Sequence, residues 1–173
     1  MNRPKAIGTA AETATVRALR RLGFPHAERR ALTGTLDQGD VTGCPGVVWE
    51  VKGGTAAKTA SDGQVAEWLA ETERERVNAG ADIGVLVLQR AGVGAANADR
   101  WWAVIDLPRL PGLSDETWGV LIGGPFQVRM TLATACTWLR RQGYGSELAP
   151  GSPQEPAGAP NGPDATKDQG DAA

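Results

Sequence analysis

The sequence is poor in the residues that hold small secreted domains and structural metal sites together. Its 173 residues include two cysteines, Cys44 and Cys136, and one histidine, His26. Two cysteines cannot build a disulfide framework, and no metal-type spacing connects them to the histidine. We therefore expect a protein of a reducing cytosol without a structural zinc site.

Long apolar runs are also absent. The N-terminus has no apolar signal-peptide core, and no run approaches the ~18 apolar residues of a membrane span. The hydrophobic content of 41% over 173 residues is nevertheless enough for one domain with a buried core. These features predict a soluble, cytoplasmic protein that does not contact a membrane.

Aliphatic residues are scarce again toward the C-terminal end. From Gly145 onward glycine, proline, aspartate and alanine dominate, so this stretch cannot bury enough apolar surface to fold. We predict one folded domain over residues 1–144 and a disordered tail over residues 145–173.

Charge is distributed unevenly around the net value of −2. The predicted tail carries five acidic residues and one basic residue, which leaves 17 Lys and Arg against 15 Asp and Glu in residues 1–144. Residues 3–30 alone hold seven bases and two acids. Such a basic region fits a partner that carries phosphates, although a solvated arginine-rich helix has the same composition.

The segment Val47–Lys52 has the composition of a buried strand, because it is apolar and β-branched apart from one tryptophan and two charges. Side chains alternate along a strand, so Glu50 and Lys52 share one of its faces. A glycine-rich turn separates this strand from Asp40, and a hairpin there brings Asp40 close to Glu50. Two carboxylates and an ammonium at one sheet edge form a candidate site for a divalent metal ion.

Residues 8–22 are predicted to form a helix that Thr9 caps. On a helical wheel Glu12 lies on the stripe that faces inward, whereas Arg17 and Arg20 point outward. A lone buried carboxylate is costly unless it is paired or bound to a metal, but an acid near a helix N-terminus is also favoured by the helix dipole. Glu12 is therefore either a metal ligand or a residue placed for the dipole.

An extended segment over residues 26–36 is predicted to bring Arg29 and Arg30 near the Asp40 hairpin, where guanidinium groups suit phosphate oxygens. Solvent-facing charges on an edge strand are the alternative interpretation. Residues 53–58, which end in Lys58, are predicted to be flexible and to lie against a substrate.

The rest of the chain predicts further helices and strands. A helix over residues 64–78, capped by Ser61 or Asp62, should bury one stripe against the sheet. Its predicted inner residues are Val65, Trp68, Leu69, Thr72 and Arg76 or Val77. Strands are predicted at Ile83–Leu88 and Trp101–Ile105, a short element around Thr117–Ile122, and a helix at Thr131–Arg141. This order predicts an α/β fold with a mixed sheet flanked by helices.

Asp40 and the triplet Glu50-Val51-Lys52 resemble the Asp and E-x-K motifs of the PD-(D/E)XK nuclease superfamily, with Gly39 where the family has proline. A helix glutamate followed by arginines, ahead of these motifs, is similar to the archaeal-type Holliday junction resolvases. Resolvase-like nucleases of actinobacterial phages are also similar, notably in the GFPHAERRALTG, GDV and EVK stretches. The resemblance covers residues 8–90.

The resemblance implies a restriction-endonuclease-like sandwich and a metal-dependent endonuclease that hydrolyses phosphodiester bonds in branched DNA. Holliday junctions, in recombination, repair or replication, are the expected substrate, and a homodimer would place two sites on two strands. A phage-encoded chain would act in the host cytoplasm. RecB-like members have a helix glutamine beside the active site, and Gln64 is the candidate for it; an exposed first-turn glutamine is the alternative.

The predicted chemistry follows from the residue types. Carboxylates and carbonyls are the hard oxygen ligands that Mg²⁺ and Mn²⁺ prefer. Lys52 would orient or deprotonate the attacking water or hold the phosphate, and a nearby metal would disfavour its charged form. The predicted metal ligands are Glu12, Asp40, Glu50 and the Val51 carbonyl. The predicted catalytic residues are Glu12, Asp40, Glu50, Lys52 and Gln64, and the predicted DNA-binding residues are Arg17, Arg20, Arg29, Arg30 and Lys58.

Two other functions fit the same residues. One is another nuclease of the same superfamily, such as a RecB-like exonuclease or a nicking enzyme. A monomer that degrades DNA ends would favour this function. The other is a DNA-binding scaffold that keeps the fold without turnover, which would bind metal and DNA but cleave nothing.

Overall fold

The computed structural model describes residues 3–31, 37–106 and 127–146. The short element predicted around residues 117–122 lies outside the described residues, as does the predicted 145–173 tail beyond residue 146. In chain order the elements are α1 (Arg3–Arg21), β1 (Glu28–Arg29), β2 (Val41–Thr42), β3 (Val47–Lys52), α2 (Gly54–Lys58), α3 (Asp62–Ala79), β4 (Ile83–Leu88), a 3₁₀ helix (Ala95–Arg100), β5 (Trp102–Asp106), β6 (Gln127–Thr131) and α4 (Leu132–Arg141).

The strands form one mixed sheet in the order β1-β2-β3-β4-β5-β6. Strands β3 and β4 are parallel, with Lys52 opposite Leu88, and all other neighbours are antiparallel. A parallel pair needs a crossover connection, and α2 and α3 supply it here. The predicted α/β fold with a mixed sheet flanked by helices is confirmed.

The alternation of side chains along β3 divides the interior into two cores. Val47, Trp49 and Val51 join the larger core, which contains residues of α1 and α4. Glu50 and Lys52 point to the opposite face, where α3 packs over a smaller aliphatic core. That smaller core consists of Val65, Leu69, Leu86, Leu88 and Val104. The charged pair of β3 therefore faces α3.

Helix boundaries follow capping residues where the sequence supplies them. The Ser61 hydroxyl accepts a hydrogen bond from the Gln64 amide, as predicted, and Gly80 ends α3 in the left-handed conformation with φ 62°. The Thr9 cap is wrong, because α1 already begins at Arg3 and Thr9 lies inside it. Its carbonyl accepts a hydrogen bond from the Thr13 hydroxyl.

Two other local predictions are corrected by the structure. Residues predicted to be flexible after Lys52 form the short helix α2. On α3 the buried stripe continues from Thr72 to Glu75, which was not among the predicted inner residues. Of the two residues predicted there, Arg76 is half-buried and Val77 is 65% exposed. Strand β6 had no sequence prediction.

Among the described residues, no helix combines the length and the apolar character needed to cross a membrane.

Candidate functional site

The β2–β3 hairpin places Asp40 beside strand β3. Val41 pairs with Trp49, and the Asp40 amide donates to the Trp49 carbonyl at 2.9 Å. The Asp40 side chain bends toward β3, where its Oδ2 accepts a hydrogen bond from the Val51 amide at 2.8 Å. Asp40 is therefore held next to Glu50 by backbone contacts, in the hairpin that the sequence predicted.

Lys52 is surrounded by acidic side chains. Its Nζ donates to Glu50 Oε1 at 2.7 Å and to Glu71 Oε2 at 3.2 Å. The same Nζ lies 5.9 Å from the centre of the Trp68 ring, which is a cation–π distance. Strand β3 and helix α3 thus hold the ammonium from two sides.

Helix α3 adds a carboxylate that the sequence analysis missed. Glu75 is only 6% exposed, and its Oε2 has no hydrogen-bond partner among the described residues. Its side chain contacts Glu50, so Asp40, Glu50 and Glu75 form a continuous group of three carboxyls, of which Asp40 is half-buried and the other two are buried. The sequence signal for Glu75 was its three-residue spacing from Thr72 on the buried stripe.

The environment of these carboxyls favours their neutral form. Burial, followed by the charge of Glu50, raises the pKa of Asp40 to about 7. Burial also raises the pKa of Glu50 to about 7, although Lys52 opposes the rise. For Glu75, burial followed by the charge of Asp37 raises the pKa to about 7. Each carboxyl can therefore gain or lose a proton near neutral pH.

The acidic neighbours of Lys52 favour its charged form. Burial lowers the pKa of Lys52, but its hydrogen bonds and charge contacts with Glu50 and Glu71 outweigh that effect and raise it overall. These contacts keep the side chain an ammonium. Holding a phosphate oxygen suits such a group better than accepting a proton.

Glu12 lies near Asp40 but is engaged by an arginine. Its Oε2 accepts hydrogen bonds from Arg29 Nε at 2.8 Å and from Arg29 Nη2 at 2.6 Å. Because α1 begins at Arg3, Glu12 is in its third turn, beyond the reach of the helix dipole. The dipole interpretation is therefore wrong. Glu12 still raises the pKa of Asp40 through its charge, so the two carboxylates belong to the same region.

The other predicted residues are distributed over the molecule. Arg30 approaches the hairpin as expected, since its amide donates to the Asp40 carbonyl at 2.8 Å. Gln64 is hydrogen-bonded to Glu67 and does not line the cleft around Lys52. Arg17 and Arg20 are exposed on α1, which packs on the face opposite α3. Lys58 is exposed at the end of α2.

A cleft of about 830 Å³ opens over Glu50 and Lys52. It runs along the C-terminal half of α3, and its walls alternate in charge. The lining residues are Asp37, Glu50, Lys52, Glu71, Glu73, Arg74, Glu75, Arg76, Val77 and Asn78. Its volume is in the range of small-molecule and cofactor sites.

The donor chemistry of the cleft fits a hard divalent cation, but the side chains are engaged with one another. Buried carboxylates crowd around one ammonium, and the orphaned Glu75 Oε2 is a hard oxygen without a partner. Within residues 3–31, 37–106 and 127–146, no three His, Cys, Asp or Glu side chains are already arranged as a metal site. Glu50 and Glu12 are occupied by Lys52 and Arg29, so cation binding requires these pairs to rearrange.

Comparison of the chain with family models, with curated proteins and with solved structures gives no match.

Proposed function

We propose that this protein is a Mg²⁺- or Mn²⁺-dependent endonuclease of the PD-(D/E)XK type that hydrolyses phosphodiester bonds in branched DNA. The observation that carries the proposal is the meeting of Asp40, Glu50 and Lys52 at one edge of the sheet. The sequence motif places these three residue types at a fixed spacing, and the hairpin brings their side chains together. Four-way junctions are the substrate we propose first.

The residues that would hold the cation are Asp40, Glu50 and the Val51 carbonyl, with Glu12 and Glu75 adjoining them. A bound Mg²⁺ would neutralise charge on the phosphate and lower the pKa of a water molecule. Lys52 would leave Glu50 for a phosphate oxygen, because it lines the cleft in which the phosphate would lie. As ligands of the cation, Asp40 and Glu50 would act in their charged form.

The test is cleavage of a synthetic four-way junction beside linear duplex, flap and single-stranded DNA, with Mg²⁺ and then Mn²⁺. We expect symmetric cuts on the junction, and we expect Asp40→Asn and Lys52→Ala to reduce cleavage at least ~100-fold while DNA binding stays within about threefold. Asp82→Asn is the matched control, since Asp82 is exposed and its contact with the Tyr144 hydroxyl survives as a hydrogen bond.

The alternatives have distinct outcomes in the same assay. Progressive loss of ends, or cuts on every branched substrate, would retain the chemistry and indicate a RecB-like or nicking nuclease. Retained cation-dependent cleavage in both Asp40→Asn and Lys52→Ala would show that the active site is elsewhere. Tight binding without any cleavage would indicate a scaffold.

A further inference from the structure

A second polar cavity lies on the α3 face of the sheet, beyond the N-terminus of α3, which Ser61 caps. It measures about 210 Å³, and three cations line it together with one aromatic ring: Lys58, Arg90, Arg129 and Trp102. The remaining lining residues are mostly small or aliphatic. This cavity shares no residue with the acidic cleft over Lys52.

The cations of this cavity are positioned by the fold. The Arg90 guanidinium lies over the Trp102 ring, with its carbon 4.1 Å from the ring centre, so a cation–π contact holds it in place. The Gly54 amide donates to Gln89 Oε1 at 2.8 Å, which ties the start of α2 to the residue before Arg90. Lys58, at the end of this five-residue helix, is thereby kept close to Arg90.

These positive charges are hardly compensated within the protein. Among the described residues, neither Lys58 nor Arg90 forms an ion pair with a carboxylate. Within the described part of the chain, Arg129 forms an ion pair with Asp62 at 3.7 Å, whose side chain is 97% exposed and therefore screened by water. The cavity thus presents three cations to an anionic partner.

The sheet register relates this cavity to the candidate active site. Lys52 pairs with Leu88, and Leu88 pairs with Trp102, so the three residues form one row across neighbouring strands. Strands are about 4.8 Å apart, so Trp102 lies roughly 10 Å from Lys52 along this row. This separation is short enough for one DNA strand to contact both places with neighbouring phosphates.

We infer that Lys58, Arg90 and Arg129 bind the phosphodiester backbone of the DNA strand whose neighbouring phosphate is cut at Asp40, Glu50 and Lys52. The inference rests on the proposed nuclease function and adds the surface that holds its substrate. The acidic cleft by itself repels a phosphate, so attraction has to come from a cationic surface nearby. Arg90, held against Trp102 by the cation–π contact, offers its N–H groups to phosphate oxygens with less side-chain freedom to lose.

The experiment measures binding separately from cleavage. Dissociation constants for a fluorescent four-way junction are measured by anisotropy in EDTA at several salt concentrations. The variants are Lys58→Gln, Arg90→Gln and Arg129→Gln, with Arg141→Gln as a control that removes the same charge from the exposed last turn of α4. Thermal unfolding of each variant verifies the fold.

We expect Arg90→Gln to weaken binding about 10-fold, as for loss of a charge-assisted hydrogen bond. Each of the three variants should reduce the slope of log Kd against log salt by about 1, and Arg141→Gln should leave it unchanged. Arg90→Lys keeps the charge but not the planar fork, so it should restore the salt slope and only part of the affinity.

The inference is overturned if all three variants bind like Arg141→Gln, or if the wild type does not bind DNA. Failure of the proposed function has a different signature. Wild-type protein that binds through these cations but cuts no DNA with Mg²⁺ or Mn²⁺ would support the surface and remove the nuclease.

Discussion

At the scale of single residues, the unusual feature is the contact between Asp40, Glu50 and Glu75 under partial exclusion of water. Each carboxyl has a pKa of about 7, whereas its ordinary value is 3.8 for Asp and 4.5 for Glu. At pH values between the ordinary pKa and the raised pKa, these carboxyls therefore bind more protons in the folded protein than in the unfolded chain. Stability from these groups is present in full below pH 4 and is lost as the pH rises through 7.

Glu75→Gln tests this consequence without changing the size of the side chain. We expect the midpoint temperature of thermal unfolding, measured in EDTA, to decrease in the wild type as the pH is raised from 5 to 8. The decrease should be smaller in Glu75→Gln. At pH 8 the variant should be the more stable protein, because an amide has no charge to desolvate.

Glu67→Gln serves as the control for this pair of measurements, since Glu67 is exposed on the same helix. The explanation fails if both variants show the pH dependence of the wild type.

The difference between Asp40 and Glu75 shows which site residues a sequence can predict. Asp40, Glu50 and Lys52 are linked by a short hairpin and by the alternation of one strand, so their meeting is a local property. Glu75 reaches the same place through the rotation of α3 against β3. That rotation depends on how the smaller core packs, and the residue pattern of α3 is compatible with more than one rotation of the helix.

At the scale of elements, the approach of β2 to β3 depends on Gly39. Its φ is +85°, and a Cβ built there would lie 2.7 Å from Val48 Cγ1 and 2.9 Å from the Trp49 carbonyl oxygen. Glycine therefore occupies the position before Asp40 for two reasons, the left-handed backbone and the close contact. Proline, with its φ fixed near −65°, cannot adopt this conformation.

Gly39→Ala is expected to destabilise the fold by about 2 kcal/mol and to reduce cleavage, because β2 must move away and Asp40 then loses the Val51 amide. Gly92→Ala separates the two causes. Gly92 has a φ of +74° with nothing within 4 Å, so its substitution carries the backbone cost without the contact. Denaturant unfolding should show a smaller loss for Gly92→Ala, and equal losses would mean that the contact relaxes freely.

The elements that the sequence predicted well are those with strong local signals. Strand Ile83–Leu88 has an unbroken apolar run, and α3 has a Ser61 cap and a glycine stop. Strand β6 had a weaker signal, because Gln127–Thr131 alternates polar and apolar residues over only five positions and its residues are half-buried or exposed. Its pairing with β5 joins segments that are far apart in sequence, so the sequence near β6 does not indicate its partner.

At the scale of the whole molecule, charge is separated along one face of the sheet. Carboxylates gather where β2, β3 and the C-terminal half of α3 meet, and cations gather beyond the start of α3, over β4 to β6. A DNA strand on this face would be attracted at one end and cut at the other. The small net charge of −2 hides this arrangement, because total charge carries no positional information.

The described part of each chain brings Asp40, Glu50 and Lys52 together once, so symmetric cutting of a four-way junction requires two chains. We therefore expect a homodimer on the junction, and mixing experiments test it. Wild-type protein should linearise a plasmid that extrudes a cruciform. An equal mixture with Lys52→Ala, after subunit exchange, should accumulate nicked circles because mixed dimers cut one strand only. If wild-type protein alone releases nicked circles before linear product, and the mixture gives the same products at half the rate, each chain cuts independently; the dimer would then be excluded, and the RecB-like activity would become the better proposal.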